Sequence, residues 1–181
     1  MIDALLADAA LKMDQAVEHA AHEFSGVRSG RANAGLLSRV NVDYYGTRTP
    51  LMQLATFSVP EARMLIVQPY DKGSMADIER AIREADLGLN PSNDGNIIRL
   101  AFPALTEERR RELIKLVRGL AEDGRIAVRN IRRQAKDSIE AEDASEDEIH
   151  RAEKLLQDLT DKHTKLIDDA LARKEEELLE V

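Results

Sequence analysis

Apolar residues recur in steps of three and four along three stretches of this chain, and a differently patterned stretch separates the first from the second. Ile2, Leu6, Ala9, Met13, Ala16, Ala20, Phe24 and Val27 form a near-heptad seam. The seam predicts a helix over residues 2–28, stopped by Ser29-Gly30 with Gly30 at the C′ position. Leu113, Val117, Leu120, Gly124, Ala127, Ile131, Ala135 and Ile139 mark the buried face of a second helix over 105–142. Thr106 is its N-cap, and Glu107 and Glu108 suit the positive end of its dipole. Ser145 and Glu148 then form a capping box. It opens a third helix running to about Leu179, with Ile149, Ala152, Leu155, Leu159, Leu166, Ala170 and Leu171 as its apolar positions.

Between residues 31 and 104 the period shortens, and prolines and glycines concentrate. Residues 40–44 alternate as a strand, turned by Tyr45-Gly46-Thr47. Residues 54–59 read as a second strand ended by Pro60, and Met64–Val67 as a third and more buried one. Ser74 caps a short helix to Ala85 that turns Met75, Ile78 and Ile82 inward. Asn93-Asp94-Gly95 is a turn, and residues 97–102 are a last strand before Pro103.

The architecture expected is α+β. An elongated antiparallel three-helix bundle spans 1–30 and 105–181, and a small β/α domain, 31–104, is inserted into it. The chain crosses between the two parts twice, and nothing else couples them covalently. Gly30, Arg31, Pro103 and Leu105 sit at these crossings and are the expected hinge.

Charge adds a second pattern to the second helix. At roughly 100° per residue, Arg111, Lys115, Arg118, Arg125, Arg129, Arg132, Arg133 and Lys136 share one edge beside the apolar face, with Glu122 and Glu140 the intruding acids. From Thr106 to Lys136 there are 10 Lys+Arg against 5 Asp+Glu, a net of +5. From Asp137 to Val181 there are 6 against 16, a net of −10, in a chain whose net charge is −8. An acidic chain has therefore gathered its positive charge along one helix edge about 50 Å long. Two readings follow. The edge is a solvated face paired by glutamates of its own bundle, or it is a phosphate-tracking surface that gains affinity by counterion release. Arginine dominance favours the second, because the guanidinium fork grips phosphate bidentately.

Composition removes most other chemistry. With no cysteine among 181 residues there is no disulfide or thiolate site, and aromatic content of 3% gives few rings to stack on bases. No phosphate-cradling glycine loop, zinc-protease motif or nucleophile elbow occurs. His19 and His22 stand three apart on the first helix, without a third ligand, and read as surface residues; His150 and His163 fall on the acidic helix with no serine partner. No metal, cofactor or catalytic residue is expected, and neither a secretory leader nor a spanning segment is evident, so a soluble cytoplasmic protein is expected.

Five motifs occur in order: Arg28-Ser29-Gly30-Arg31-Ala32, Asp43-Tyr44-Tyr45-Gly46, Asp86-Leu87-Gly88-Leu89-Asn90-Pro91, Leu105-Thr106-Glu107-Glu108-Arg109-Arg110, and Val128-Arg129-Asn130-Ile131-Arg132-Arg133. Together they resemble the bacterial ribosome recycling factor family over essentially the whole chain. The resemblance implies an L-shaped, non-enzymatic monomer that binds the post-termination 70S ribosome. With elongation factor G and that factor's GTP hydrolysis, it would split the ribosome into subunits and release mRNA and deacylated tRNA. It implies contact between the bundle and large-subunit ribosomal RNA through Arg129, Arg132 and Arg133, with Arg28, Arg31 and Arg110 as further candidates. Lys115, Arg118 and Arg125 join this set on the charge stripe alone. The alternative is a coiled-coil adaptor that binds acidic protein partners through the same edge.

Overall fold

The computed structural model describes residues 1–180. Its Cα packing divides into two compact units, Met1–Arg28 with Glu107–Leu179, and a second built on Ser29–Thr106.

The first unit holds three long helices among the described residues: α1 (Ile2–Ser25), α3 (Glu107–Glu140) and α4 (Glu146–Leu179), with a short helix α2 in the other unit. Each packs on the other two. Pairs between α3 and α4 run from Arg118–Glu175 through Arg125–Asp168 to Lys136–Glu153. Partner numbers fall along α4 as they rise along α3, so these two helices are antiparallel. The predicted capping box forms: the Glu148 carboxylate accepts from the Ser145 N–H at 3.0 Å, and the Glu148 N–H donates to Ser145 Oγ at 3.3 Å. The Ser145 hydroxyl also donates to that carboxylate at 2.7 Å, and this bond, then the one from the Ser145 N–H, holds the Glu148 carboxyl below its ordinary range.

Three details depart from expectation. α1 ends at Ser25 rather than running to residue 28, and its C-cap is Gly26 rather than Ser29-Gly30. Gly26 donates its N–H to His22 and Glu23, and Ser25 Oγ donates to the His22 carbonyl at 2.6 Å, so the last carbonyls are satisfied early. The buried line of α3 passes through Leu113, Val117, Ala121, Gly124, Val128 and Ile139, while Leu120, Ala127, Ile131 and Ala135 are only half-buried. A helix wedged between two others buries a broad face, and a single-seam reading finds its flank.

On α4 the correction is larger. The buried residues are Ala152, Leu156, Thr160, His163, Ile167, Lys174 and Leu178, whereas Leu155 is 53% exposed and Leu166 41%. Three polar members of that line hid it from an apolar scan. Thr160 Oγ1 donates to the Leu156 carbonyl at 2.8 Å. His163, 1% exposed, places Nδ1 2.6 Å from the Leu159 carbonyl and Nε2 2.7 Å from Asp14 Oδ1. It is a buried clasp between α4 and α1. The Lys174 ammonium reaches Glu177 at 3.3 Å.

In the second unit, β1 (Asn41–Tyr44) and β2 (Thr47–Pro50) form a hairpin, and β3 (Ala55–Glu61), β4 (Met64–Pro69), β5 (Pro91–Asn93) and β6 (Ile98–Ala101) form a four-stranded antiparallel sheet in the order β3-β4-β6-β5. The predicted turn sits between β1 and β2, with Tyr45 at φ 49° and Gly46 at φ 83°, the pair of positive angles a two-residue hairpin demands. β2 and β5 escaped prediction because both are short and mostly polar. β3 does not stop at Pro60. Its register shifts between Ser58 and Glu61 and pairing resumes at Glu61↔Met64, so the proline occupies an irregularity where no N–H is needed. Helix α2 (Met75–Glu84) buries Met75, Ile78 and Ile82 as predicted, in a core with Leu37, Val42, Leu51, Leu65, Val67, Ile98 and Leu100. Ser74 precedes it but makes no side-chain cap; its hydroxyl donates back to the Asp71 carbonyl at 2.6 Å. Asp71 also accepts from the Tyr44 and Tyr45 hydroxyls, at 3.3 and 2.8 Å. Desolvation and then the Asp71 charge raise the Tyr44 phenol above its ordinary range, and the Asp71 hydrogen bond leads the rise at Tyr45.

Candidate nucleic-acid interface

The cations of α3 follow from helix geometry alone, since residues three, four and seven apart share an edge. What the fold adds is the acidic neighbour. Acids of α4 come alongside that edge and divide the stripe in two.

One part is internally paired. Arg118 binds Glu175, which raises its pKa first through that hydrogen bond. Arg125 donates Nε to Asp168 Oδ1 at 2.8 Å and a terminal nitrogen to Glu122 at 2.8 Å. Arg129 donates to the other oxygen of Glu122 at 2.6 Å. Glu122 therefore sits inside a two-arginine fork, and the bond from Arg129, then that from Arg125, holds its carboxyl below the ordinary range. It stays ionised at neutral pH and subtracts one charge from the stripe's centre. Lys136 lies 3.3 Å from Glu153 and 3.4 Å from Glu140, and Arg111 pairs with Glu107 one turn back.

The other part is unpaired. Among the described residues, Arg132, Arg133 and Lys115 have no carboxylate partner within ion-pair distance. Arg133 and Lys115 are exposed and Arg132 is half-buried. Arg28 is likewise exposed and without a partner, at the end of the first unit's N-terminal segment. Arg110 is half-buried in the first turn of α3. Arg31 belongs to the second unit, where it meets Glu180 at 3.0 Å.

Sequence reasoning named the cations and missed their partners Glu153, Asp168 and Glu175. For two of them the signal was present: in an antiparallel pair, Asp168 and Glu175, seven residues apart on α4, fall opposite Arg125 and Arg118 at the same spacing on α3. At the expected hinge, Gly30 adopts φ +74°, a conformation that favours glycine, and a Cβ there would lie 3.2 Å from Leu105 Cγ. No group of three or more acidic or histidine ligands that could hold a metal ion occurs among the described residues, and no helix there is long and apolar enough to cross a membrane.

Comparison with known proteins finds relatives over the whole chain. A solution structure of a ribosome recycling factor superposes with a TM-score of 0.71 at 44% identity, covering 99% of this chain and 98% of the other. The T. thermophilus ribosome recycling factor, in a structure with E. coli elongation factor G on the E. coli post-termination complex, matches with a TM-score of 0.63 at 43% identity over 99% of each chain. The ribosome-recycling factors of Renibacterium salmoninarum and Thermobifida fusca are 56% and 55% identical, each over 100% of both chains. The model of the ribosome recycling factor family matches residues 20–179, and with full-length relatives at such identity the chain belongs to that family.

Proposed function

We propose that this protein recycles ribosomes after termination, and that the α3 edge is where it grips them. The observation that carries the contact is the unpaired state of Arg132 and Arg133 toward the C-terminal end of a cationic stripe whose other members mostly have carboxylate partners. Cations left free by the fold bind phosphate without first giving up an ion pair. Arg132, Arg133, Lys115 and Arg28 are the direct contacts to large-subunit ribosomal RNA. Arg118, Arg125 and Arg129 contribute by exchanging a carboxylate for a phosphate, Arg110 extends the surface within the first unit, and Arg31 is a separate candidate on the second. Phosphate contacts of this kind position a protein on RNA without reading its sequence.

The division of labour follows the two units. Residues 1–30 with 105–181 form the anchoring domain, and 31–104 the domain on which elongation factor G acts, with Gly30, Arg31, Pro103 and Leu105 as the pivot. GTP hydrolysis belongs to the elongation factor. This chain supplies a lever and a grip, with no catalytic residue and no cofactor, as a monomer in the cytoplasm. The presence of a homologue and elongation factor G on one post-termination complex supports the pairing.

Sedimentation with purified 70S ribosomes across a salt series tests the grip. Arg132→Ala should weaken binding about tenfold at physiological salt and flatten the slope of log affinity against log salt by about 1. Glu122→Gln should act the other way, tightening binding about twofold to threefold, because it releases Arg129 and half-releases Arg125. Equal binding by wild type and Arg132→Ala would move the RNA contact off this edge. No binding by any form would favour the adaptor reading.

A further inference from the structure

Where the turn after α3 brings α4 back alongside it, the two helices enclose a groove of about 370 Å³. Arg132 and Lys136, one turn apart on α3, line one wall. His150, Glu153, Lys154 and Gln157 on α4 line the other, with Leu156 between them. Leu156 is 1% exposed and anchors the α4 wall in the bundle core.

The charge in this groove is not balanced. Glu153 is its one carboxylate, and Lys136 covers it at 3.3 Å. Among the described residues, Arg132, Lys154 and His150 have no hydrogen-bonded or ionic partner, although all three line the same groove. Elsewhere in the α3–α4 seam the fold sets acid against base, at Arg118–Glu175 and Arg125–Asp168. Here, beside the Lys136–Glu153 pair, Arg132 and Lys154 are left facing the same groove without an acid. Like charges on facing walls oppose packing. The arrangement is relieved by an anion between them.

We propose that this groove is a second-wall phosphate site, in which His150 and Lys154 of α4 close on an RNA backbone phosphate held from α3 by Arg132. The inference rests on the reading of the α3 edge as an RNA contact and extends it to a helix that is otherwise strongly acidic. The ligand chemistry follows from the donors. Arg132 offers a planar fork for two phosphate oxygens, Lys154 a point charge, and the His150 ring and the Gln157 amide offer N–H groups. On the α3 wall Arg132 and Lys136 stand one turn apart, roughly 6 Å along the helix, which suits successive phosphates of one strand. A carboxylate ligand from a protein would find too many donors for its two oxygens.

The test uses the full-length protein and purified 70S ribosomes, with sedimentation across a salt series. Lys154→Ala should weaken binding about fivefold and reduce the salt slope by about 1. Lys154→Glu should weaken it further, and His150→Gln less. Lys162→Ala, which removes an exposed α4 cation outside the groove, should leave affinity and slope within twofold of wild type. The Arg132→Ala, Lys154→Ala double variant should lose less than the sum of the singles, because both act on one phosphate. If Lys154→Ala and Lys154→Glu bind like wild type while Arg132→Ala is weakened, the α4 wall is wrong and the α3 edge stands. If Lys162→Ala falls as far as Lys154→Ala, the groove has no special role and only general charge is at work. If Arg132→Ala and Lys154→Glu both bind normally, the groove and the α3 edge fail together.

Discussion

A Gly124→Leu variant should lose about 2 kcal/mol or more of bundle stability, a fall of about 10 °C in the midpoint of its helical melt. Gly124 sits on α3 where both other long helices press against it. A Cβ there would lie 3.1 Å from Ile167 Cδ1 on α4 and 3.3 Å from the Ala20 Cβ on α1. The first neighbour is the tip of a flexible side chain and can yield. The second is fixed to the α1 backbone and cannot. Alanine is therefore near neutral, since its gain of roughly 1 kcal/mol in helix propensity offsets the crowding. Leucine adds three more carbons beyond a Cβ already crowded by Ile167 and Ala20, and overpacking of this kind costs about 1–3 kcal/mol and sometimes more. Gly119 is the internal control: it lies on the same helix, and a Cβ there would meet nothing within 4 Å. Gly119→Ala should stabilise by about 0.5–1 kcal/mol. Circular dichroism melts of the three variants decide the matter, and a Gly124→Leu protein that melts with wild type would mean the helices do not meet there.

The second large effect is functional. Oxidised Gly30→Cys/Leu105→Cys protein should sediment with ribosomes as wild type does, yet fail to split them when elongation factor G and GTP are added. The natural chain has no cysteine, so the introduced pair is the sole disulfide that can form. A Cβ at Gly30 lies 3.2 Å from Leu105 Cγ, which puts the two β-carbons within disulfide reach. The positive φ of Gly30 imposes about 1 kcal/mol of strain on cysteine, and the reduced double variant carries the same strain. Reduction should therefore restore splitting while the substitutions remain. That contrast separates a locked pivot from a damaged fold. Normal splitting by the oxidised form would show that the two crossings need not turn independently.

The places where sequence and structure part company have one physical cause. Helices α3 and α4, the capping box at Ser145, the Tyr45-Gly46 turn and the inward face of α2 were all legible, because each depends on residues within a few positions of one another. Errors arose where a distant segment sets the environment. His163 looks like one more polar residue of an acidic helix until Asp14, 149 positions away, is placed 2.7 Å from its ring. Leu155 and Leu166 looked buried because the line that is buried contains Thr160, His163 and Lys174. Pro60 looked like a strand end because the irregularity that accommodates it belongs to the pairing with β4.

The candidate site divides along the same boundary. That cations line one edge of α3 was already fixed by residue order, since a helical period of 3.6 residues dictates which side chains share a face. Five ordered motifs carried the family in the same way. Which of those cations are free emerges only in the folded bundle. Bringing α4 alongside places Glu175 on Arg118, Asp168 on Arg125 and Glu153 on Lys136, and leaves Arg132 and Arg133 without a carboxylate. A cation's availability to a phosphate depends on the charges within a few ångströms of it, and in a bundle those charges come from other helices.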